Sequence, residues 1–283
     1  MRGLSLLVLA TAGLFGQSGL QRAEELYQKT DYRQSLAALK AIPAPSGNVY
    51  YLIGRNYFML AEYHKASDAF DKALALEPAN SEYAHWLGRA FGRRAESANP
   101  LTAPMYASKA RQYFEKSVAL DPNNGEALND LFDYYLEAPG FLGGGYDKAE
   151  QVAKRIAAHN EAEGHFAEAQ LADKRRQFDA AEDQLRRAME LAPRQVGRVI
   201  DLAKYLAKHG RIQESEATFD HAEHLAPDSP GVSFARARIY IEQRRNLEKA
   251  KELLHKYLQS NLTPDDPPRE QAEKLLRQAS SGA

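Results

Sequence analysis

The chain has 283 residues, of which 44% are hydrophobic and 27% charged, so it holds enough apolar material for a substantial core. Its 37 basic and 38 acidic side chains give a net charge of −1, which argues against a general nucleic-acid or anionic-membrane footprint. The sequence has no cysteine, which removes any disulfide framework and any cysteine lipid-anchor site.

The amino-terminal segment is the first element along the chain and has the features of a secretory signal peptide. Arg2 precedes an apolar run over residues 4–15, and Ala10, Thr11 and Ala12 form a small-x-small cleavage site. The run is too short for a membrane-spanning helix, which needs roughly 20 residues. We therefore expect residues 1–16 to be removed and the protein to be exported, to the periplasm or outside the cell, without stable membrane insertion. The alternative is an amino-terminal helix that packs on the first of the repeats described next.

Residues 50–78 contain two consecutive helix patterns. The first is an apolar stripe at i, i+3, i+4 and i+7, formed by Tyr50, Ile53, Gly54 and Tyr57. The second has the offsets of an antiparallel partner helix, with Ala66, Phe70, Ala73 and the terminating Pro78. Glycine inside a helix costs about 0.5–1 kcal/mol relative to alanine, so we expect Gly54 to mark a close crossing of the two helices.

Helix-ending prolines of this kind recur along the chain. They are Pro78, Pro122, Pro193 and Pro227. Their intervals of 44, 71 and 34 residues correspond to one 34-residue unit plus 10, two units plus 3, and one unit. The sequence therefore predicts seven copies of one helix pair between roughly residues 20 and 260. Phe132 and Ser215 stand where a small residue is expected, and there we expect a local adjustment of the helix spacing.

This pattern resembles that of the tetratricopeptide repeat family. The resemblance implies an all-α fold, a right-handed superhelical solenoid of antiparallel helix pairs with about seven repeats over residues 17–264. In residues 265–283, Asp266 and Pro267 fit a helix start. One apolar face follows, formed by Ala272, Leu275, Leu276 and Ala279. We expect a capping helix that covers the last repeat, with a short tail.

The resemblance also implies that ligands bind on the concave face, which the first helix of each repeat lines. Side chains there that lie outside the packing stripe form an aromatic and basic stretch beside an acidic one. They are Asn48, Tyr51, Arg55, Phe58, His85, Trp86, Arg89, Arg93, Asn129, Asp130 and Asp133. Aromatic and arginine side chains often anchor interfaces, and this mixture is suited to holding an extended peptide. The alternative is that Tyr51 and Trp86 pack between repeats and that the charges are solvated.

Two insertions distinguish this chain from a plain repeat array. One lies between Phe91 and Ala110, and the other covers residues 138–146. Both fall between the two helices of a repeat, so we expect loops that emerge on one edge and lie side by side. We predict that Arg94, Phe141 and Leu142 contact a partner at this edge. The alternative is that Phe141 and Leu142 fold back and fill the gap between helices.

The sequence shows no motif for catalysis or phosphate binding, since GxSxG, HExxH and GxxxxGK[ST] patterns are absent. His221 and His224 are three apart, but without a third ligand nearby in sequence surface histidines are favoured over a metal site. The glycines at 143–145 predict a flexible turn, because Asp147 would oppose an anion at the following helix start. We therefore expect no catalytic residue, no metal, no cofactor and no nucleic-acid partner.

These features favour a non-catalytic scaffold that binds a protein or peptide partner through the concave groove and the edge that carries the insertions. The alternative is an envelope-assembly or secretion-accessory component that acts at a membrane surface. An enzyme is disfavoured, because solenoid grooves usually bind and a fold resemblance alone assigns no reaction.

Overall fold

The structure, a computed structural model, describes residues 19–281, and in this part of the chain all regular structure is helical. The predicted signal peptide, residues 1–16, lies outside the described residues. The α-helices are α1 (19–28), α2 (Tyr32–Lys40), α3 (Gly47–Met59), α4 (Tyr63–Leu76), α5 (Ser81–Ser97), α6 (Ala103–Leu120), α7 (Gly125–Glu137), α8 (Tyr146–His159), α9 (Glu161–Lys174), α10 (Phe178–Leu191), α11 (Val196–Lys208), α12 (Ile212–Leu225), α13 (Pro230–Glu242), α14 (Leu247–Gln259) and α15 (Arg269–Ser281). A 3₁₀ turn, Gly140–Leu142, lies between α7 and α8.

Consecutive helices form the pairs that the seven sequence copies predict. Helix α3 packs on α4, α5 on α6, α9 on α10, α11 on α12, and α13 on α14. The rings of Tyr27 and Tyr32 join α1 to α2 at 5.4 Å, and the Lys148 ammonium of α8 lies 5.3 Å from the Tyr135 ring of α7. The predicted all-α fold of repeated helix pairs is confirmed.

The chain divides into two compact units between Val152 and Ala153, inside α8. The first unit contains α1 to α7, and the second contains α9 to α15. One continuous repeat domain over residues 17–264 stays a prediction. In residues 19–281, no helix combines the length and the apolar character needed to cross a membrane.

Helix crossings in the first unit depend on missing side chains. A Cβ atom on Gly54 would lie 2.5 Å from the Phe70 ring, and one on Gly88 would lie 2.6 Å from the Phe114 ring. Both phenylalanines are buried. Because such short contacts are not tolerated, the glycines set the distance between α3 and α4 and between α5 and α6. This confirms the packing role predicted for Gly54.

Phe132 and Ser215, the two residues that depart from the small-residue pattern, are both buried in the interior. Phe132 is 1% exposed in α7, and Ser215 is fully buried in α12. The Ser215 hydroxyl donates a hydrogen bond to the Ala203 carbonyl at 2.8 Å, and Ser35 donates to the Ala23 carbonyl at the same distance. A buried hydroxyl is costly only when it lacks a partner, so serine fits at these two equivalent positions.

The carboxy-terminal helix covers the last pair, as a capping helix should. Helix α15 packs on α14 and α13, and Ala272 joins a core cluster with Leu254 and Tyr257. The predicted helix start at Asp266 is wrong. The Asp266 carboxylate instead accepts hydrogen bonds from the Thr263 backbone and hydroxyl, which closes a turn ahead of two prolines. The helix begins only after those prolines, at Arg269.

The first insertion is helical, which corrects the predicted loop between Phe91 and Ala110. Helix α5 has 17 residues and α6 has 18, whereas α3 has 13 and α4 has 14, so both helices of this pair are longer. Only residues 98–102 connect them. In the longer helices, the backbone N–H and C=O groups of the inserted residues form hydrogen bonds within the helix. In a long loop, these groups would need other hydrogen-bond partners.

Candidate partner-binding groove

A groove lies between α5, α6, α7 and the 3₁₀ turn, and we call it the insertion groove. Its volume is about 490 Å³. Its apolar floor is formed by Ala107, Ala110, Phe114, Pro139 and Leu142. Its charged side chains are Arg89, Arg93, Glu96, Asp130, Asp133 and Glu137. The two insertions thus meet at one groove, which agrees with their predicted position on one edge.

Helical spacing places the charged side chains in two rows. Arg89, Arg93 and Glu96 follow one another at intervals of four and three on α5, and Asp130, Asp133 and Glu137 do so at three and four on α7. Residues three and four apart share a helix face, so each row faces the groove.

The Asp130 carboxylate connects the two rows. It lies 2.7 Å from Nε2 of His85, which is fully buried, and 3.5 Å from Nε of Arg89. The Arg89 guanidinium also lies 4.3 Å from the Trp86 ring and 5.5 Å from the Phe58 ring. Ion pairing and ring contacts therefore hold Arg89 in place between α5 and α7.

The positive charge of Arg93 is balanced by a different carboxylate, that of Glu96. Its guanidinium pairs with Glu96 and donates to the Tyr63 hydroxyl at 3.3 Å. The two cations of the groove therefore already have carboxylate partners from this chain.

Asp133 differs from the other carboxylates of the groove. Its side chain is exposed to solvent, and no ion pair or hydrogen bond from residues 19–281 reaches its carboxylate. Desolvation by the groove walls, followed by the negative charges of Asp130 and Glu137, raises the pKa of Asp133 to about 6.

The second insertion forms a wall of the groove with a defined backbone. The Tyr134 hydroxyl donates to the Leu142 carbonyl at 3.0 Å, and the Gly145 amide donates to the Tyr135 carbonyl at 2.8 Å. A Cβ atom on Gly144 would lie 1.8 Å from the Ala138 carbonyl oxygen, and Gly143 has a φ of +86°. Glycine is required at both positions, because a side chain would strain or block the turn.

Phe141 and Leu142 separate within this turn. Phe141 is 82% exposed, whereas Leu142 is partly buried and lines the insertion groove. Leu142 therefore turns inward, and Phe141 projects into solvent, where its contact with a partner stays a prediction.

A second groove, the amino-terminal groove, is lined by α1 and α3 and has a volume of about 710 Å³. Asn48, Tyr51 and Arg55 line it. The Arg55 guanidinium lies 4.6 Å from the Tyr27 ring and 4.8 Å from the Trp86 ring. It forms no ion pair with residues 19–281, so these aromatic contacts hold it.

The remaining predicted site residues take structural positions. Trp86 is 6% exposed, and its indole Nε1 donates to Glu82, which also accepts from the Tyr51 hydroxyl at 2.8 Å. The Arg94 guanidinium donates to the Ser67 hydroxyl and the Tyr106 hydroxyl, at 2.8 and 3.0 Å. Arg94 thus lies in the packing of α4, α5 and α6. Asn129 is partly buried on α7.

Sequence reasoning missed three residues that shape the insertion groove. Glu137 extends the row of Asp130 and Asp133 by one turn, and its spacing on α7 was visible in the sequence. Gly92 lines the groove on α5, and a Cβ atom there would meet no atom within 4 Å. Phe114 packs against Gly88 and also forms part of the floor.

No group of three or more residues suited to hold a metal ion occurs among the described residues. His221 and His224 are both exposed on α12.

Comparison with known proteins agrees with this architecture. Residues 47–80 match the profile of the tetratricopeptide repeat family. A tetratricopeptide repeat protein from Parabacteroides merdae is 17% identical, with a TM-score of 0.61 over 94% of this chain and 99% of that chain. A thermophilic tetratricopeptide repeat protein from Thermus thermophilus is 20% identical, with a TM-score of 0.55 over 68% of this chain and 98% of that one. No curated protein sequence matches the chain.

The chain is thus a helical repeat protein by its fold. Residues 47–80, which comprise α3, α4 and the turn that follows, form a tetratricopeptide repeat, and the fold is that of tetratricopeptide repeat proteins. This repeat contains Tyr50, Ile53, Gly54 and Tyr57, the apolar stripe that predicted its first helix.

Proposed function

We propose that this protein is a non-catalytic interaction scaffold that binds an extended peptide, or an extended segment of a protein partner, in the insertion groove. The observation that supports this most directly is an apolar floor bordered by two rows of charged side chains on α5 and α7. Tetratricopeptide repeats are typical of proteins that bind other proteins, which favours the same class of function.

The dimensions of the groove suit a peptide. Its volume of about 490 Å³ lies within the range of about 300–1,000 Å³ that is usual for ligand sites. Alanines and Leu142 leave space above Phe114, and the charged rows can orient a backbone or side chain. The exposed ring of Phe141 stands beside this site and extends the contact surface along the edge.

The amino-terminal groove adds a second contact surface for the same scaffold. Asn48, Tyr51 and Arg55 offer polar and aromatic groups there. All three lie on α3, the first helix of the pair that comes before α5 and α6. A longer partner would contact both surfaces.

A single substitution tests peptide binding without removing any contact of the fold. Gly92→Leu should fill the insertion groove, because a side chain at residue 92 enters open space. Gly197→Leu is the matched control, since residue 197 is an exposed helical glycine in the second unit whose Cβ would also meet no atom.

The measurement is selection from a displayed library of random dodecapeptides on the purified proteins. We expect peptides that are enriched on the wild-type protein and on Gly197→Leu but lost on Gly92→Leu, with no fall in melting temperature in either variant. Enrichment that does not respond to Gly92→Leu would remove the insertion groove as the binding site.

We also propose that the protein is exported, on the basis of the sequence pattern in residues 1–16. Expression with a carboxy-terminal tag, followed by fractionation and mass determination, should yield a processed protein outside the cytoplasm. A full-length protein that stays in the cytoplasm would contradict this proposal.

Action at a membrane surface is the second candidate, and exposed apolar side chains favour it. Leu101 and Phe141, one from each insertion, are 92% and 82% exposed. If they enter a bilayer interface, co-sedimentation with phosphatidylglycerol vesicles should fall when both are replaced by serine. Equal sedimentation of the wild type and this double variant would argue against the candidate.

A further inference from the structure

The charges of the insertion groove are not balanced. Four carboxylates and two guanidinium groups line it. Arg89 lies within reach of Asp130 and Glu126, at 3.5 and 3.8 Å, and Arg93 pairs with Glu96. The cations are therefore committed inside the chain, and neither of them pairs with Asp133 on α7.

We propose that the segment bound in this groove places an apolar side chain on the floor formed by Phe114 and Leu142 and a lysine or arginine beside Asp133. This inference rests on the proposed peptide-binding function and adds the chemistry of the ligand. A cation at that point would supply the partner that the Asp133 carboxylate lacks in this chain.

The surroundings of Asp133 favour a cation over other ligands. From its own helix, Asp130 and Glu137 face it. From α5 come Arg89 and Arg93, each already paired, and Glu96. From α6 and the 3₁₀ turn the lining residues are apolar. Arg111 of α6 lies outside the lining, against Gly143, and pairs with Glu115. An acidic ligand would meet three carboxylates on α7 and would be repelled.

The apolar floor and Asp133 belong to one groove, so one short segment reaches both. Phe114 is nearly buried beneath the groove, and Ala107, Ala110 and Leu142 leave room above it. An apolar side chain placed there gains from leaving water, and a basic side chain a few residues away stays at the mouth, where Asp133 keeps contact with solvent.

Binding should depend on pH in a defined direction. The raised pKa of Asp133, about 6, means that the carboxyl is largely ionised at pH 7.5 and largely protonated at pH 5. A bound cation stabilises the ionised form, so affinity should be higher at pH 7.5 and fall as the pH drops below about 6.

The test uses peptides from the display experiment that are enriched on the wild-type protein and lost on Gly92→Leu. These should share an apolar residue and a lysine or arginine a few positions away. One such peptide is synthesised with its basic residue and with glutamine in that place, and both are titrated calorimetrically against the full-length protein.

We expect Asp133→Asn to weaken binding of the basic peptide by about tenfold, as for loss of one charge-assisted hydrogen bond. The glutamine peptide should bind equally to the wild type and to Asp133→Asn, and the pH dependence should disappear in the variant. Asp147→Asn is the control, because Asp147 is an exposed carboxylate on α8 that does not line the groove.

Four outcomes would overturn the inference. Enriched peptides that are acidic or uncharged would contradict the proposed ligand chemistry. An affinity for the basic peptide that Asp133→Asn leaves unchanged would also contradict it. In both cases the proposed function stands if Gly92→Leu still abolishes binding. A dimer that excludes peptide and that Gly92→Leu dissociates would make a second copy of the chain the occupant. If no enriched peptide is sensitive to Gly92→Leu, both the inference and the proposed function are contradicted.

Discussion

Gly54 shows how one residue sets a helix crossing. A methyl group at this position would lie 2.5 Å from the Phe70 ring, so α3 and α4 can approach closely only because no side chain intervenes. The sequence indicated this role from the position of the glycine within an apolar stripe. It could not indicate the contact atom, because that depends on the rotamer of Phe70.

Gly54→Ala should therefore destabilise the protein by about 1–3 kcal/mol, the usual cost of overpacking a core. Gly92→Ala should instead stabilise it by about 0.5–1 kcal/mol, because alanine favours helix and the added atom meets open space. Urea unfolding monitored by circular dichroism measures both. Equal effects of the two substitutions would contradict the packing argument.

Asp133 gives a prediction for the pH dependence of stability. Its pKa in the folded protein is raised to about 6, above the unfolded value, so the folded state binds the proton more tightly. Stability is thus highest when the carboxyl is protonated and falls as the pH rises through the range from about 4 to about 6.

Asp133→Asn should remove this loss of stability. We expect the variant to melt at a higher temperature than the wild type at pH 7.5 and at the same temperature at pH 4, with melting followed by calorimetry. Asp147→Asn at both pH values is the control. A variant that is less stable than the wild type at pH 7.5 would show that Asp133 makes a favourable contact in the fold.

At the scale of elements, the two insertions have different structures. The first lengthens α5 and α6, and the second makes a short turn closed by Gly143 and Gly144. Proline spacing predicted both insertions and their common edge. It did not predict whether extra residues continue a helix or leave it, because that choice depends on the neighbouring helix that the added turns contact.

Gly144→Ala should break the wall of the insertion groove. The new methyl group would lie 1.8 Å from the Ala138 carbonyl oxygen, a backbone atom that can move only if the turn is rebuilt. We expect a loss of about 1–3 kcal/mol and faster amide exchange over residues 138–146. Gly140→Ala is the control and should change stability by less than about 0.5 kcal/mol, since its added atom meets nothing. Similar exchange in the two variants would argue against a fixed turn.

At the scale of the whole molecule, the repeats depend on their neighbours for burial. Helix α15 covers a cluster that includes Leu254, Tyr257 and Phe234, and it contributes Ala272, Leu275 and Leu276 to that packing. In repeat proteins, stability is roughly a sum of terms within repeats and between adjacent repeats. Loss of the cap should therefore act locally.

A protein that ends at Ser260 tests this. We expect faster amide exchange in α13 and α14 and earlier proteolysis there, while α3 to α6 keep their protection. Hydrogen exchange followed by mass spectrometry resolves the two regions. A uniform rise in exchange over all described helices would indicate that the repeats unfold as one cooperative block.

The sequence by itself determined the helix pairs, their order and the close crossing at Gly54, because these follow from local periodicity, helix-ending prolines and the need to bury one face of each helix. It also placed Phe58, Arg89, Arg93, Asp130, Asp133 and Leu142 among the candidate contact residues. Only the tertiary structure showed that these six line one groove, while Trp86 and His85 lie beneath it and Arg94 joins three helices. The physical reason is that pairing of charges and the direction of each side chain are decided by contacts between helices far apart in the chain.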